Sequence, residues 1–292
     1  MVKPVEVRGR PIGGGQIPAI CAPLIGKSGE AILAELAAIL GKKPDVIEWR
    51  ADYFSGIADS YAVVDIARRI RRAAGETPIL FTLRSSEEGG EPSQLSDDDG
   101  VQLYETVCES RCVDLVDFEM SKLKDHVGRV RDVSRKYDIQ MIMSYHNFRE
   151  TPALDTLILK FAQAQDLGAD AGKVAVMPND AEDVLMLLSA TLHCSRRLRI
   201  PLISVSMGGY GLLTRMFGWM FGSAVTFAVG QGSSAPGQVA IEELSAVLSM
   251  TRMAVEASNS QSQHPPRSTP TFCWTKGKTA KEPRSGQDQG GR

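Results

Sequence analysis

The chain has 292 residues, of which 43% are hydrophobic and 23% charged, and its formal net charge is -2. A charge so close to balance argues against a nucleic-acid-binding protein. No apolar run approaches the ~20 residues that span a bilayer, and the polar residues 1–18 lack a signal-peptide core. We therefore expect a cytoplasmic protein that binds neither membranes nor nucleic acids. The length fits one large barrel or two smaller domains.

Residues 4–17 contain two short polar stretches around Gly9-Arg10-Pro11, a pattern typical of a β-hairpin. Strand-like and helix-like segments then alternate along the chain. The predicted strands are residues 18–24, 45–49, 79–83, 115–119, 140–144, 173–177, 201–206 and 224–227. The clearest predicted helices are residues 30–40, 61–74, 98–108, 123–137, 153–166, 181–194 and 241–254. This alternation indicates the α/β class and favours a (β/α)8 barrel, because no GxGxxG follows the first strand as in a doubly wound sheet.

The last part of the chain differs in composition from the rest. From Ser258 onward the sequence is rich in Gly, Ser, Gln and Lys and shows no hydrophobic period. Such a segment cannot bury enough apolar surface to fold by itself. We predict a single barrel domain over residues 1–257, including the hairpin, and a disordered tail over residues 258–292.

Lys173 begins the apolar segment 173–177, which Pro178 ends. A lysine that loses its charge in a buried strand can attack a carbonyl carbon and form a Schiff base. The alternative is a lysine at a strand end whose ammonium group reaches solvent. The residues at the other strand ends favour the first interpretation.

Polar residues gather at the carboxyl ends of the predicted strands, where barrel enzymes carry their active sites. They include Glu48, Arg50, Arg84, Glu88, Asp117, Glu119, His146, Arg215, Ser234 and Gln238. Individually they have structural explanations, such as a salt bridge between Glu48 and Arg50, but a ring of them at one end favours a site. His146 is the only one of the four histidines at a strand end, and its imidazole suits proton transfer near neutral pH. Arg215 suggests a substrate with a carboxylate.

Apart from Asp117 and Glu119, these residues belong to six motifs in barrel order. The motifs are Glu48-Trp49-Arg50, Phe81-Thr82-Leu83-Arg84 with Glu88-Gly89-Gly90, Ser144-Tyr145-His146-Asn147-Phe148, Lys173-Val174-Ala175-Val176-Met177-Pro178, Ser206-Met207-Gly208 with Arg215, and Ser234-Ala235-Pro236-Gly237-Gln238. Together they resemble the motifs of the type I 3-dehydroquinate dehydratases, and the resemblance covers about residues 18–254.

The resemblance implies a lyase that dehydrates 3-dehydroquinate to 3-dehydroshikimate by syn elimination, without a metal or other cofactor. It implies that Lys173 forms the Schiff base, that His146 is the general acid and base, and that Glu88 pairs with His146. Substrate binding is implied for Glu48, Arg50, Arg84, Arg215, Ser234 and Gln238. The resemblance also implies a homodimer, a loop before the last helix that closes over the substrate, and a role in the shikimate pathway or in quinate catabolism.

Two alternatives stay open. A class I aldolase-type lyase also uses a barrel lysine, but it usually acts on phosphorylated sugars and needs a phosphate cradle near the last strands. A barrel that binds a pathway metabolite without converting it is the second alternative. Trapping of a covalent adduct with borohydride would separate an enzyme from such a binding protein.

Overall fold

The computed structural model describes residues 2–14, 17–93 and 95–261. The predicted hairpin is present, with strands β1 (Val5–Val7) and β2 (Arg10–Ile12) paired antiparallel. Arg8 and Gly9 form the turn, and both have positive φ angles, 50° and 72°. The hairpin is slightly shorter than the predicted residues 4–17.

Eight parallel strands form the barrel, and their order β10-β3-β4-β5-β6-β7-β8-β9 follows the chain. The strands are β3 (Ala19–Leu24), β4 (Val46–Arg50), β5 (Ile79–Thr82), β6 (Leu115–Glu119), β7 (Gln140–Asn147), β8 (Ala171–Val176), β9 (Leu202–Ser206) and β10 (Val225–Phe227). The backbone N–H of Ala224 donates to the carbonyl oxygen of Leu202 over 2.7 Å and links the two outer strands. The predicted (β/α)8 architecture is confirmed.

Helices alternate with the strands. They are α1 (Gly29–Leu40), α2 (Ser60–Ala74), α3 (Asp97–Ser110), α4 (Lys124–Lys136), α5 (Leu154–Asp166), α6 (Ala181–Ser195), α7 (Leu212–Phe217) and α8 (Ile241–Gln261). Asp180 caps α6, since its carboxylate accepts from the backbone N–H of Asp183 at 3.0 Å. The sequence did not predict α7, because six residues are too few to show a helical period.

The last helix extends further than its hydrophobic period indicated. α8 continues seven residues past Ala254 to Gln261, so the predicted boundary at residue 258 lies inside the helix. The rest of the predicted tail, residues 262–292, lies outside the described residues. Within the described part of the chain, no helix has the length and apolar character needed to cross a bilayer.

Two apolar layers lie on opposite faces of the barrel sheet, because successive strand side chains point to opposite faces. The outer layer packs against the helices and includes a row of edge-to-face rings formed by Trp49, Phe81, Tyr104 and Phe118. The inner layer fills the lower barrel and includes Val46, Leu80, Leu115, Ile142 and Ile203, with Val5 and Ile12 of the hairpin in the same cluster. The lower lumen is therefore closed, and among the described residues the charged side chains of the lumen lie at the carboxyl ends of the strands.

Candidate active site

A single pocket at the carboxyl ends of the strands brings together all nine residues that the sequence predicted for the site. Its lining includes Lys173, His146, Glu88, Glu48, Arg50, Arg84, Arg215, Ser234 and Gln238. The remaining wall is mostly apolar, with Phe148, Val205, Met207 and Phe227 among its residues. Convergent charged groups on apolar walls are typical of a binding or catalytic site.

Lys173 lies on β8 and is buried, with its ammonium group 4.7 Å from the ring centroid of Phe227. Its Nζ donates to Asp117 Oδ2 over 2.9 Å. The same carboxylate accepts from Arg84 Nη2 at 2.7 Å and from Ser144 Oγ at 2.5 Å. Burial by itself would raise the pKa of Asp117, but the charges of Arg84 and Lys173 outweigh it and hold that pKa well below its usual range. Lys173 therefore has a buried counter-ion, which the sequence analysis did not assign to it.

His146, near the end of β7, forms the predicted pair with Glu88. Its Nδ1 lies 2.8 Å from Glu88 Oε2, and its backbone N–H donates to the same oxygen at 3.0 Å. The other carboxylate oxygen accepts from Ser121 Oγ at 2.8 Å. Three contacts fix the carboxylate, which in turn orients the imidazole.

The surroundings of this pair shift the pKa values of both its members. Burial, and then the negative charge of Glu119, raise the pKa of Glu88 to about 7. Burial, and then the cations Arg84 and Lys173, lower the pKa of His146 well below its usual value. His146 is thus an uncharged imidazole, which can take up a proton from a ligand.

Arg84 follows β5 and is surrounded by carboxylates. Its guanidinium contacts Asp117 at 2.7 Å, Glu119 at 3.1 Å and Glu88 at 3.8 Å, and it donates to Ser144 Oγ at 3.0 Å. Burial opposes its charge, but the three carboxylates outweigh that penalty and raise the pKa of Arg84 above its usual value. Arg84 lines the pocket, yet most of its charge is balanced by the protein itself.

Arg50 and Glu48, both on β4, do not form the salt bridge that would have explained them structurally. Arg50 pairs bidentately with Asp52, at 2.9 Å from Nε and 2.8 Å from Nη2. Glu48 instead accepts from the hydroxyl of Thr82 at 3.0 Å. Side chains of neighbouring β4 residues alternate in direction, so Glu48 and Arg50, two positions apart, both face the lumen.

Arg215 lies on α7 and is 2% exposed. Its guanidinium donates to the carbonyl oxygens of Phe227 at 3.3 Å and Pro236 at 2.9 Å, and its Nε is buried without a hydrogen-bond partner. No carboxylate among the described residues forms an ion pair with it. Burial therefore lowers the pKa of Arg215 to about 10. A buried arginine without a counter-ion can bind the carboxylate of a ligand.

Ser234 and Gln238 belong to the loop 228–240 between β10 and α8. The Gln238 carboxamide bridges the two ends of this turn, since its Oε1 accepts from the Ser234 N–H at 3.0 Å and its Nε2 donates to Ser234 Oγ at 3.2 Å. Both side chains line the pocket and present hydroxyl and amide groups to it.

The loop 228–240 lies over the pocket and is attached to two of its cations. Arg50 donates to the carbonyl oxygen of Ser234 at 3.4 Å, and Arg215 donates to that of Pro236. The pocket beneath holds only about 50 Å³ of free space. Ligand sites are commonly ~300–1,000 Å³, so the pocket beneath this loop is smaller than a typical ligand site.

The sequence analysis assigned no role to several residues that contact the site. They are Asp52, Asp117, Ser121 and Ser144. Asp117 lies two residues before Glu119, and Ser144 lies two residues before His146. Because a strand repeats every two residues, this spacing was a signal that both side chains face the lumen.

A larger groove of about 930 Å³ runs along the opposite end of the barrel, beside the hairpin. Its lining holds exposed ion pairs such as Arg8–Asp114, at 2.7 Å, and no histidine. The smaller pocket at the strand ends combines a buried amine with an imidazole. These chemical groups, and not its volume, identify the smaller pocket as the candidate site.

Comparison with known proteins identifies the family of this chain. A family model of type I 3-dehydroquinase matches residues 20–254. The chain belongs to this family. A 3-dehydroquinate dehydratase of Albidiferax ferrireducens is 53% identical over 253 residues, covering 87% of this chain and 96% of the relative.

Solved structures of family members have the same barrel. The 3-dehydroquinate dehydratase of Geobacillus kaustophilus superposes with a TM-score of 0.84 at 45% identity, covering 86% of this chain and 97% of that one. The type I enzyme of Clostridium difficile, solved with covalently modified comenic acid, also has a TM-score of 0.84, at 35% identity. That comparison covers 87% of this chain and 100% of the Clostridium chain.

Proposed function

We propose that this protein is a hydro-lyase that converts 3-dehydroquinate to 3-dehydroshikimate through a Schiff base on Lys173. One observation carries the proposal: a single pocket holds a buried lysine, an imidazole–carboxylate pair and a buried arginine without an anion. A nucleophile, a base and an anion site are the groups that this elimination needs. Membership of the type I 3-dehydroquinase family supports the same reaction.

The proposed reaction begins at the ketone. Lys173 gives up its ammonium proton to His146, and the neutral Nζ then attacks the ketone carbon and forms a C–N bond. His146 returns the proton to the former carbonyl oxygen, which becomes a hydroxyl group. His146 then moves a second proton from the nitrogen to this hydroxyl, the C–O bond breaks, water leaves, and the nitrogen electron pair forms the C=N bond of an iminium ion. The iminium withdraws electrons from the neighbouring C–H bond and makes it acidic.

The elimination then uses the imidazole twice. His146 removes the proton next to the iminium carbon, and the electron pair of that bond forms the new C=C bond as the adjacent hydroxyl departs. His146 protonates this hydroxyl, which leaves as water. A second water molecule hydrolyses the iminium, so that the amine of Lys173 and the ketone of the product are restored. Glu88 keeps the imidazole oriented throughout.

Substrate orientation is proposed for the other pocket residues. Arg215 would bind the substrate carboxylate, because its guanidinium is buried without an anionic partner. Further polar contacts are proposed for Glu48, Arg50, Arg84, Ser234 and Gln238, which line the pocket. Covalently modified comenic acid in the Clostridium difficile relative supports covalent chemistry in this family. The dehydration serves either the shikimate pathway or quinate catabolism.

The test is trapping with sodium borohydride. The protein is incubated with 3-dehydroquinate and borohydride, and the tryptic peptides are then analysed by mass spectrometry. We expect a reduced adduct on the peptide that contains Lys173, and enone absorbance from the product when borohydride is omitted. Lys173→Ala should show neither, with product formation reduced by about 10⁴-fold or more.

Other outcomes would support other functions. Binding of 3-dehydroquinate in calorimetry, without an adduct or enone absorbance, would overturn the proposal in favour of a metabolite-binding barrel. An adduct with cleavage of a carbon–carbon bond would favour an aldolase-type lyase. Lys122→Ala is the matched control, because its ammonium pairs with Asp97 outside the pocket and should leave the adduct unchanged.

A further inference from the structure

Glu119, the last residue of β6, stands behind the proposed active site and does not line its pocket. It is 2% exposed. Its Oε1 accepts from the backbone N–H of Ser85 at 2.8 Å and from Arg84 Nη1 at 3.1 Å. Its Oε2 has no hydrogen-bond partner in the described part of the chain. The carboxylate therefore supports the start of the turn that carries Glu88, and it shares its cation, Arg84, with Asp117 and Glu88.

The buried charges around Glu119 and Arg84 do not balance. The buried cluster of ion pairs around Arg84 contains three carboxylates and two cations, the Arg84 guanidinium and the Lys173 ammonium. The carboxylates are Asp117, Glu119 and Glu88. Without a bound proton the cluster has an excess negative charge, which is costly in a buried place. One proton on the Glu88–His146 pair removes that excess.

We propose that Glu119 is a positioning residue that keeps one proton on the Glu88–His146 pair near neutral pH and so sets the pH range of the reaction. Glu119 touches neither the imidazole nor the pocket, and it acts through Arg84 and through its charge. The expected effect of Glu119 on the pH dependence of turnover rests on the proposed function. The effect on the pair itself is a property of the folded protein.

The charged groups that face the pair come from several elements, and Glu48 of β4 and Arg215 of α7 also line the same pocket. Arg50 approaches His146 from β4, Arg84 from the end of β5, and Lys173 from β8. Asp117 and Glu119 approach the pair from β6, and only the hydroxyl of Ser121 reaches it from the following loop. Lys122 is near Glu119 but is held at 2.7 Å by the exposed Asp97.

The variant Glu119→Gln separates charge from shape. An amide oxygen can still accept from the Ser85 N–H, so the turn is kept while the negative charge is lost. The cluster is then neutral without an added proton, and the pair should bind its proton more weakly. Its titration should move to lower pH by about one unit, because removal of a buried like charge lowers the pKa of the remaining acid.

The first measurement is an NMR titration of His146 in the wild type, Glu119→Gln and Glu119→Asp, which needs no turnover. The chain has four histidines, and a His146→Gln sample identifies the signal. We expect the midpoint of the pair to fall by about one pH unit in Glu119→Gln and to stay near the wild-type value in Glu119→Asp, which keeps the charge. Glu87→Gln, an exposed neighbour of Glu88, is the matched control and should not shift it.

The second measurement is kcat/KM for 3-dehydroquinate between pH 5 and 9. The acidic limb of Glu119→Gln should move to lower pH by the same amount, with a plateau within about threefold of the wild type. An unchanged His146 midpoint in folded Glu119→Gln would overturn the inference. If the wild type has no dehydratase activity but the midpoint still shifts, the proposed function fails and the role of Glu119 in protonation stands.

Discussion

Two of the three buried arginines that line the pocket, Arg84 and Arg215, differ in their ionic partners although both are almost fully buried. Arg84 has three carboxylates within 3.8 Å, and they raise its pKa above the usual value. Among the described residues, Arg215 has only carbonyl oxygens as acceptors, and burial lowers its pKa to about 10. The fold thus compensates one cation and leaves the other without an anion.

This difference indicates that the charge of Arg84 stabilises the fold and that the charge of Arg215 is available to a ligand. Burying a cation without a counter-ion is unfavourable, so the fold retains Arg215 at a cost in stability. A substrate carboxylate would remove that cost on binding. Arg84, in contrast, holds the ends of β5, β6 and β7 together through Asp117, Glu119 and Ser144, and its loss should affect folding as well as activity.

The largest expected effect comes from Asp117→Asn, which removes the carboxylate that pairs with both Arg84 and Lys173. Both Arg84 and Lys173 lose their strongest counter-ion, and we expect the free energy of unfolding in urea to fall by about 3–5 kcal/mol. Asp97→Asn is the control, since its exposed pair with Lys122 should be worth about 1 kcal/mol or less. Equal losses in the two variants would contradict the importance of the buried network.

Arg215→Gln tests whether the Arg215 guanidinium binds the substrate carboxylate. We expect KM for 3-dehydroquinate to rise about 10- to 100-fold, because a charge-assisted hydrogen bond contributes roughly 1.5–3 kcal/mol. Steady-state kinetics measures this, and urea unfolding should show no loss of stability. Arg149→Gln, an exposed arginine after β7, should leave both unchanged. A stability loss as large as that of Asp117→Asn would show that the protein itself compensates Arg215.

Gly237→Ala should disturb the closed loop above Arg215. Gly237 has a φ of 76°, and a Cβ there would overlap the carbonyl oxygen of Gly208. We expect kcat/KM to fall about tenfold, since such backbone strain costs roughly 1–3 kcal/mol. The control is Gly209→Ala, where a Cβ would meet no atom within 4 Å. Equal kinetics in both variants would mean that this contact is not needed for closure.

The smallest effect is expected from Tyr104→Phe on the Arg84 side. The Tyr104 hydroxyl donates to the carbonyl oxygen of Asp117 at 2.6 Å and accepts from the Leu83 N–H at 3.0 Å. Its removal should lower the free energy of unfolding by about 1 kcal/mol and leave KM unchanged. Urea unfolding and kinetics check this, and a raised KM would show that the hydroxyl also shapes the pocket.

Most of the fold could be predicted from local sequence patterns. The largely apolar segment 79–83 predicted its strand because burial on both faces of a parallel sheet favours continuous apolar runs. The beginning of helix α6 was predictable from Asp180, because this capping carboxylate directly precedes the amphipathic segment. Helix α7 was missed, and Arg215 was therefore placed only as a residue beyond β9.

The sequence by itself determined the barrel class, the family and the nine residues that line one pocket, because strand ends in a barrel always meet at the same mouth. The tertiary structure decided how the charges are partnered. Arg84 and Asp117 are separated by 33 residues in the chain, and only the adjacency of β5 and β6 brings them within 2.7 Å. Electrostatic compensation depends on distance and burial in space, which no local pattern contains.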